Sequence, residues 1–510
     1  MPHLITWGTP IDSIDTLRPH LRHARTKAAL AAVGLGVAGV AIILALSDTL
    51  TLVPVSIGLA VALILVPFPT ADRLLGLSLI ATMPLIWSGA LPNVPLAAAV
   101  LVIGLVRVAR VEPRSVHPRA WLILAATWAP LLVGIALSHW PPASVWLRPA
   151  ALLGLAAVAA ALGALVWRDP DRRRRWMEGI TLGLLVTSVS GLLVFALQFM
   201  VPITAIVDGF ADLQGVLRGT TAGETFRDQN NWLIPGERVT LRAISPLFPS
   251  PNNLGAYLGI ATPIAFIQSL SHPNRAWRSV SIAATVVAVS LAVLTFSRST
   301  WLATTIAGVL MVGLAAFGKR SAPAPPGVRG TALKLSAVLV LVALVALWVG
   351  AAAGSTTVID RLVNPLADES VTDRLDTNQQ ATDQIVTSPL RGAGLGNWRA
   401  AIEQQDDVAY IHNVYLEYAA ALGIFGGLWA VLVVAVPLAA GATMLRLRSG
   451  GHDGMLGVVV VAIFAFAGVH FLFDDNLLNP QYAWLLSFAL GGSLVAAWPG
   501  DGHPSATRTA

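Results

Sequence analysis

The chain has 510 residues, of which 55% are hydrophobic and 12% charged, and its mean hydropathy is +0.71. So apolar a composition excludes an ordinary soluble protein and indicates a polytopic membrane protein. The chain has no cysteine, which excludes disulfides, thiol catalysis and cysteine metal sites. Its apolar runs are continuous rather than alternating, so they predict membrane-spanning helices, whose backbone hydrogen bonds are satisfied internally in lipid.

Runs long enough to cross a bilayer predict about fourteen transmembrane helices, or about twelve if the short third and fourth runs form a re-entrant pair. In chain order the predicted spans are Ala28–Leu46, Thr51–Val66, Leu74–Trp87, Val94–Val106, Trp121–Leu137, Ala150–Trp167, Ile180–Phe199, Leu254–Leu270, Val280–Phe296, Trp301–Phe317, Leu335–Ala353, Val414–Leu445, Met455–Phe473 and Ala483–Trp498.

The charge distribution predicts the orientation, because Lys and Arg concentrate on the cytoplasmic side of membrane proteins. With the N-terminus inside, the inner segments carry most of the 33 Lys and Arg residues, and the outer segments carry most of the 27 Asp and Glu residues. The basic run Asp171–Trp176 then lies inside, where an anchor at the inner membrane surface explains it better than nucleic-acid binding. We therefore expect both termini in the cytoplasm.

Two outer segments, 200–251 and 354–412, are too long to be simple turns, and functional residues are expected to concentrate in them. The predicted division of the chain is a cytoplasmic N-terminal segment 1–27, N-terminal transmembrane helices 28–199, an outer loop 200–251, central transmembrane helices 252–353, a large outer loop 354–412, C-terminal transmembrane helices 413–498 and a cytoplasmic tail 499–510.

The second outer segment contains a predicted surface helix. Thr372–Val386 begins with a Thr/Asp start signal and continues without Gly or Pro until Pro389 ends it. The three glycines that follow in Arg391–Trp398, RGAGLGNW, suit a tight backbone path beside a ligand. An ordinary flexible turn before the next span explains the same glycines.

Four outward positions are candidates for chemistry: Arg242, Arg298, Arg391 and His412. Arg298 lies between two apolar helices, where a charge is costly unless it meets water, a partner or an anionic ligand. Its guanidinium matches phosphate oxygens bidentately and stays charged, which suits a pyrophosphate at a membrane surface. Snorkelling to the interface is the alternative for Arg298, and a salt bridge to Glu237 is the alternative for Arg242.

His412 has two interpretations. Its imidazole can exchange a proton near neutral pH, so it can act as a catalytic base. Alternatively, it precedes a helix that Asn413 caps and that carries Glu417 in its first turns.

Three segments together resemble the O-antigen ligase and polymerase family of bacterial membrane glycosyltransferases. They are SRSTWLA at Ser297–Ala303, RLDTNQQATDQIVTSPLRGAGLGNW at Arg374–Trp398, and HNVYLEYAAALGIFG beginning at His412. The resemblance covers about Arg242–Pro480. It implies an all-α polytopic membrane fold of the lipid-linked-sugar glycosyltransferase (GT-C-like) type, with an outer-face loop domain.

By that resemblance, the donor is a glycan on undecaprenyl pyrophosphate and the acceptor is a glycan or a lipid. Transfer takes place at the outer face of the bacterial cytoplasmic membrane, with no metal, other cofactor or nucleic acid. Family arginines hold the donor pyrophosphate and a loop histidine acts as base, which assigns Arg242 and Arg298 to the first role and His412 to the second. The other expected substrate-binding residues are Arg391, Arg374, Asn413 and Glu417.

Other functions remain open on the sequence. A lipid-linked-sugar flippase would need polar groups near the middle of the spans, and the predicted spans contain almost none. A non-catalytic scaffold predicts that Arg242, Arg298 and His412 do not converge. Ligase and polymerase use the same donor, so the acceptor alone distinguishes them.

Overall fold

The computed structural model describes residues 72–73, 105, 116–140, 143–218, 223–224, 226–227, 243–244, 248, 250–317, 337, 340, 369–397, 411–447, 451–474, 477 and 480–498. Within these residues the regular structure is helical, and none lies in a strand. The helices are α1 Pro118–Leu137, α2 Ala143–Trp167, α3 Pro170–Leu197, α4 Ile203–Arg218, α5 Pro251–Ser271, α6 Arg275–Leu294, α7 Arg298–Phe317, α8 Glu369–Thr387, α9 Val414–Leu447, α10 Gly451–His470 and α11 Pro480–Ala497.

Six of the described helices, α1, α2, α3, α5, α6 and α9, are long and apolar enough to cross a membrane, judged by length and composition. The shorter α7, α10 and α11 are also apolar. Large side chains such as Leu122 and Leu193 are 70% and 66% exposed, as expected of a surface that faces lipid. The protein is therefore an all-α polytopic membrane protein, as the sequence predicts. The first four predicted spans and Leu335–Ala353 lie almost wholly outside the described residues.

Helix α5 forms the centre of the bundle, because 94% of its most apolar stretch is buried inside the protein. It packs against α3, α6, α7, α10 and α11. Gly255 and Gly259 permit this, because a Cβ on either would collide with Thr300 of α7 or with the Phe466 ring of α10. Apolar residues all round the helix follow from this central position.

One end of the bundle, here called the basic end, contains the start of α3 and the end of α5. His272 Nε2 lies 3.0 Å from Glu178 Oε1, and Arg175 donates to Asp72 over 2.8 Å. Arg172 and Arg173 are 3% and 5% exposed. The interpretation of Asp171–Trp176 as a surface anchor is therefore wrong for these two arginines, because they are packed inside the protein.

The opposite end, here called the site end, contains the starts of α7 and α9 and the end of α10. Here α9 does not continue as the single span predicted at Val414–Leu445. Gly423 has φ 66° and ψ −161°, a backbone conformation that is essentially restricted to glycine and that interrupts the helix.

The chain reverses direction at this glycine. In a straight helix, residues 418 and 426 would be about 12 Å apart along the axis. Instead, the Tyr418 carbonyl oxygen lies so close to Gly426 that a Cβ there would collide with it. The Tyr418 and Trp429 ring centroids are 4.8 Å apart. The first arm of α9, 414–422, thus folds back along the second arm, 424–447, which at about 36 Å is still long enough to cross a membrane.

The glycine-rich segment after α8 satisfies the backbone of this reversal. Ala393 and Gly394 donate N–H groups to the carbonyls of Ala420 and Ala421, each over 2.8 Å, and Ile424 N–H donates to Pro389 O over 2.8 Å. Gly392, at φ 61°, lies so close to the Ala421 backbone that no side chain fits there. These glycines therefore serve a close contact with α9, which neither sequence interpretation of RGAGLGNW anticipated. The helix predicted at Thr372–Val386 is confirmed as α8.

We predict that Gly423→Ala destabilises the protein by about 1–3 kcal/mol, because a Cβ would force the strained backbone against Pro389 and Leu390. Thermal unfolding of the purified protein measures the loss. Gly308→Ala in α7 is the matched control, since a Cβ there meets nothing within 4 Å. Equal melting temperatures for the two variants would contradict the reversal.

Candidate functional site

The turn between α6 and α7 presents Arg298. Phe296 adopts φ 51°, which is unusual for a bulky residue, and the Ser297 hydroxyl accepts from the Thr300 N–H over 3.4 Å at the start of α7. The Trp301 indole N–H donates to Val293 O over 2.9 Å, which closes the turn. Arg298 is the first residue of α7, is half-buried and is engaged within the protein.

His412 lies beside Asp474, a residue that follows the end of α10. Nδ1 of His412 is 3.9 Å from Oδ1 of Asp474, and the two side chains are 29% and 6% exposed. This distance exceeds hydrogen-bond length, so the interaction is electrostatic. The neighbouring Val414 N–H donates to the Phe471 carbonyl over 2.9 Å, so the backbone holds the two segments together.

Asp474 carries its negative charge in a buried position. Burial alone would raise the pKa of its carboxyl, but His412, His470 and Arg374 together hold that pKa below its ordinary value of 3.8. Because the pKa of Asp474 is lower in the folded protein, its ionised carboxyl stabilises the fold. This contribution is fully present above pH 3.8 and is lost as the pH falls through the lowered pKa. At neutral pH the site therefore contains a carboxylate facing His412.

A second histidine lies next to this pair. His470, the last residue of α10, is completely buried, and its Nε2 is 3.4 Å from the Ser299 hydroxyl of α7. Ser299 Oγ is 3.0 Å from Ser297 Oγ. The residue after Ser297 is Arg298, so this contact connects the segment that carries Arg298 to the segment that leads to Asp474.

The site is recessed in the bundle. The first arm of α9 runs from the level of His412 to the reversal at Gly423, a distance of about 12 Å along its axis. Gly134 of α1 packs against Leu422 and Phe425 near that reversal. His412 therefore lies about one α9 arm away from the Gly423 reversal, and Asp474 lies beside it.

The other predicted site residues have different surroundings. Asn413 accepts the Leu416 N–H over 3.1 Å and so caps α9, and Glu417 is 7% exposed and engaged within the protein. Arg374 of α8 is half-buried and interacts electrostatically with Asp474. Arg391 is exposed and lies in the segment that contacts the Gly423 reversal.

Arg242 lies outside the described residues. The residue after it, Ala243, is buried, and its N–H donates to Leu294 O over 2.8 Å at the end of α6. The backbone directly after Arg242 therefore lies beside the turn between α6 and α7 that carries Arg298.

Sequence reasoning missed Asp474 and His470. Both belong to the segment HFLFDD, which begins at His470 and overlaps the end of the predicted span Met455–Phe473. An ionisable residue inside an apolar run, followed within one turn by two aspartates, is the signal that identifies this segment, because such residues are costly there without a function or a partner.

The fold and the site define a multi-pass helical membrane protein with a recessed polar site at one end of its bundle. Residues 283–431 match the protein-family model described as O-antigen ligase. The match runs from α6 into the second arm of α9 and includes Arg298 and His412, so it supports assignment of this part of the chain to the O-antigen ligase family. Comparison with curated proteins gives no significant match. The family supports glycan transfer at a membrane as the general function.

We predict that Asn413→Ala lowers the stability of the protein by about 0.5–2 kcal/mol through loss of the cap, whereas Asn413→Asp retains it. Thermal unfolding of both variants tests the cap. A melting temperature of Asn413→Ala equal to that of the wild type would contradict the cap.

Proposed function

We propose that the protein transfers a glycan from undecaprenyl pyrophosphate to an acceptor hydroxyl at the outer face of the bacterial cytoplasmic membrane. The site end then faces outward and the basic end faces the cytoplasm, in keeping with the concentration of Arg at the start of α3. Both termini are cytoplasmic in this topology.

One observation carries the proposal: His412 faces the buried carboxylate of Asp474, beside the start of the helix that Arg298 begins. We infer from this arrangement that a proton acceptor and a cationic group for a phosphate serve one site. A scaffold does not require buried ionisable groups to meet in this way, because each is costly to bury.

In the proposed reaction, the acceptor oxygen attacks the anomeric carbon of the donor sugar. His412 takes the acceptor hydroxyl proton as the new C–O bond forms. The old bond to the pyrophosphate oxygen breaks, and undecaprenyl pyrophosphate leaves with the bonding electrons. A single displacement of this kind inverts the anomeric centre and needs no carboxylate nucleophile.

Charge on the leaving pyrophosphate would be stabilised by Arg298 at the start of α7. Unpaired N–H groups and the helix dipole favour an anion at a helix N-terminus, and a fixed guanidinium adds to that in a partly dehydrated site. Arg242 is proposed as a second phosphate contact, because the adjoining Ala243 is hydrogen-bonded to the end of α6.

Asp474 has the supporting role of orienting His412. A carboxylate near Nδ1 favours the imidazolium that forms when Nε2 accepts the proton, and it holds the ring. Arg374 of α8, which interacts with the same carboxylate, is proposed to line the substrate side of the site.

The choice between ligase and polymerase depends on the acceptor. Purified protein is incubated with undecaprenyl-pyrophosphate glycan and either a lipid-linked core oligosaccharide or a second donor molecule. Transfer of one glycan to the core supports a ligase, and a ladder of longer lipid-linked glycans supports a polymerase. No transfer to either acceptor would overturn the proposed function.

We predict that His412→Ala lowers the transfer rate by about 10²–10⁴-fold, because a general base is lost. Folding and binding of undecaprenyl pyrophosphate should change little. The exposed His139, which follows α1 at the same end, supplies the control His139→Ala. Near-wild-type transfer by a folded His412→Ala protein would refute the base.

We predict that Arg298→Lys lowers transfer by roughly 10-fold or more although the charge is retained, because an ammonium cannot reproduce a bidentate contact with phosphate. Arg275→Lys at the basic end is the matched control. Rates and undecaprenyl pyrophosphate affinity are measured on both purified variants. Wild-type values for Arg298→Lys would leave Arg298 as an interface anchor.

A further inference from the structure

We propose that His470 is a positioning residue that connects the start of α7 to Asp474, and thereby fixes the phosphate-binding arginine relative to the base. The inference rests on the proposed function and assigns a role to a residue outside the matched residues 283–431.

The first argument is the position of His470. It is completely buried at the end of the apolar helix α10, where an imidazole is costly unless it has partners. One partner is the Ser299 hydroxyl, 3.4 Å from Nε2, and another is the Asp474 carboxylate, with which His470 interacts electrostatically. These two partners belong to the two halves of the site.

The second argument concerns the surroundings of the ring. Phe466 stacks on His470 with ring centroids 5.3 Å apart, and Tyr482 of α11 lies at 6.2 Å. These aromatic rings fix the plane of the imidazole, so its nitrogens have defined directions. Among the described residues, the titratable side chains near the ring include Asp474 and Tyr482, and Ser299 of α7 supplies a neighbouring hydroxyl.

The third argument is connectivity. Ser299 follows Arg298 directly, and Ser299 Oγ contacts Ser297 Oγ, which caps α7. Asp474 follows His470 by one turn and faces His412. Loss of the His470 contacts would therefore allow the arginine turn and the carboxylate to shift independently of each other. A small misplacement of reacting groups lowers the rate strongly.

The test compares two substitutions that preserve different properties of the side chain. His470→Phe keeps an aromatic ring for packing but removes both nitrogens, whereas His470→Gln keeps hydrogen-bonding capacity and loses the ring. If His470 positions the site, the turnover of His470→Phe falls roughly 10- to 100-fold at unchanged affinity for undecaprenyl pyrophosphate, and His470→Gln retains more turnover than His470→Phe. If the ring only fills space, the order is reversed.

A double-mutant cycle with Ser299→Ala examines the contact itself. The Ser299→Ala change is expected to lower turnover several-fold alone and to have little further effect in His470→Phe, because the two changes remove the same interaction. Fully additive losses would overturn the connection. His272→Gln, a buried histidine at the basic end, is the control and should leave turnover per folded protein unchanged.

These outcomes are distinguishable from failure of the proposed function. All variants are assayed as the purified full chain with undecaprenyl-pyrophosphate glycan, and their melting temperatures are measured. Wild-type turnover in folded His412→Ala would refute the proposed function. Loss of turnover in His412→Ala together with wild-type turnover in His470→Phe would overturn only the role of His470.

Discussion

The reversal of α9 at Gly423 determines where the candidate site lies. A broken helix within a membrane bundle leaves N–H and C=O groups that lipid cannot satisfy, so the protein must supply their partners. Pro389, Ala393 and Gly394 do so, and their hydrogen bonds fasten the end of α8 to the two arms of α9. Because the first arm turns back along the second, His412 enters the bundle instead of remaining on its outer rim.

The recessed position has electrostatic consequences. In a partly dehydrated site, charges interact more strongly than at the surface, and each unpaired charge is more costly. Interactions among the ionisable residues offset this cost. Asp474 faces His412, interacts with His470 and Arg374, and keeps its charge. The same polarised surroundings would act on a pyrophosphate, which ties the stability of the site to the proposed chemistry.

The bundle supports this site through close packing of α5 with its neighbours. Thr300 of α7 and Phe466 of α10 both contact glycines of α5, so the helices that bear Arg298 and His470 rest on one buried helix. The basic end is held differently, by ion pairs among Asp72, Arg175, Glu178 and His272. Packing at one end and ion pairing at the other leave the two ends of the bundle chemically distinct.

The sequence by itself determined the fold class, the positions of the described apolar helices and the surface helix α8, because continuous apolar runs and helix signals are local properties. It also identified Arg298 and His412 as candidates from their expected outward positions, and a family resemblance implied their roles. Only the tertiary structure decided that α9 reverses at Gly423, that RGAGLGNW contacts it, and that Asp474 and His470 lie beside His412 and Ser299. A left-handed glycine and contacts between residues distant in the chain leave no periodic pattern, since they depend on how the helices pack.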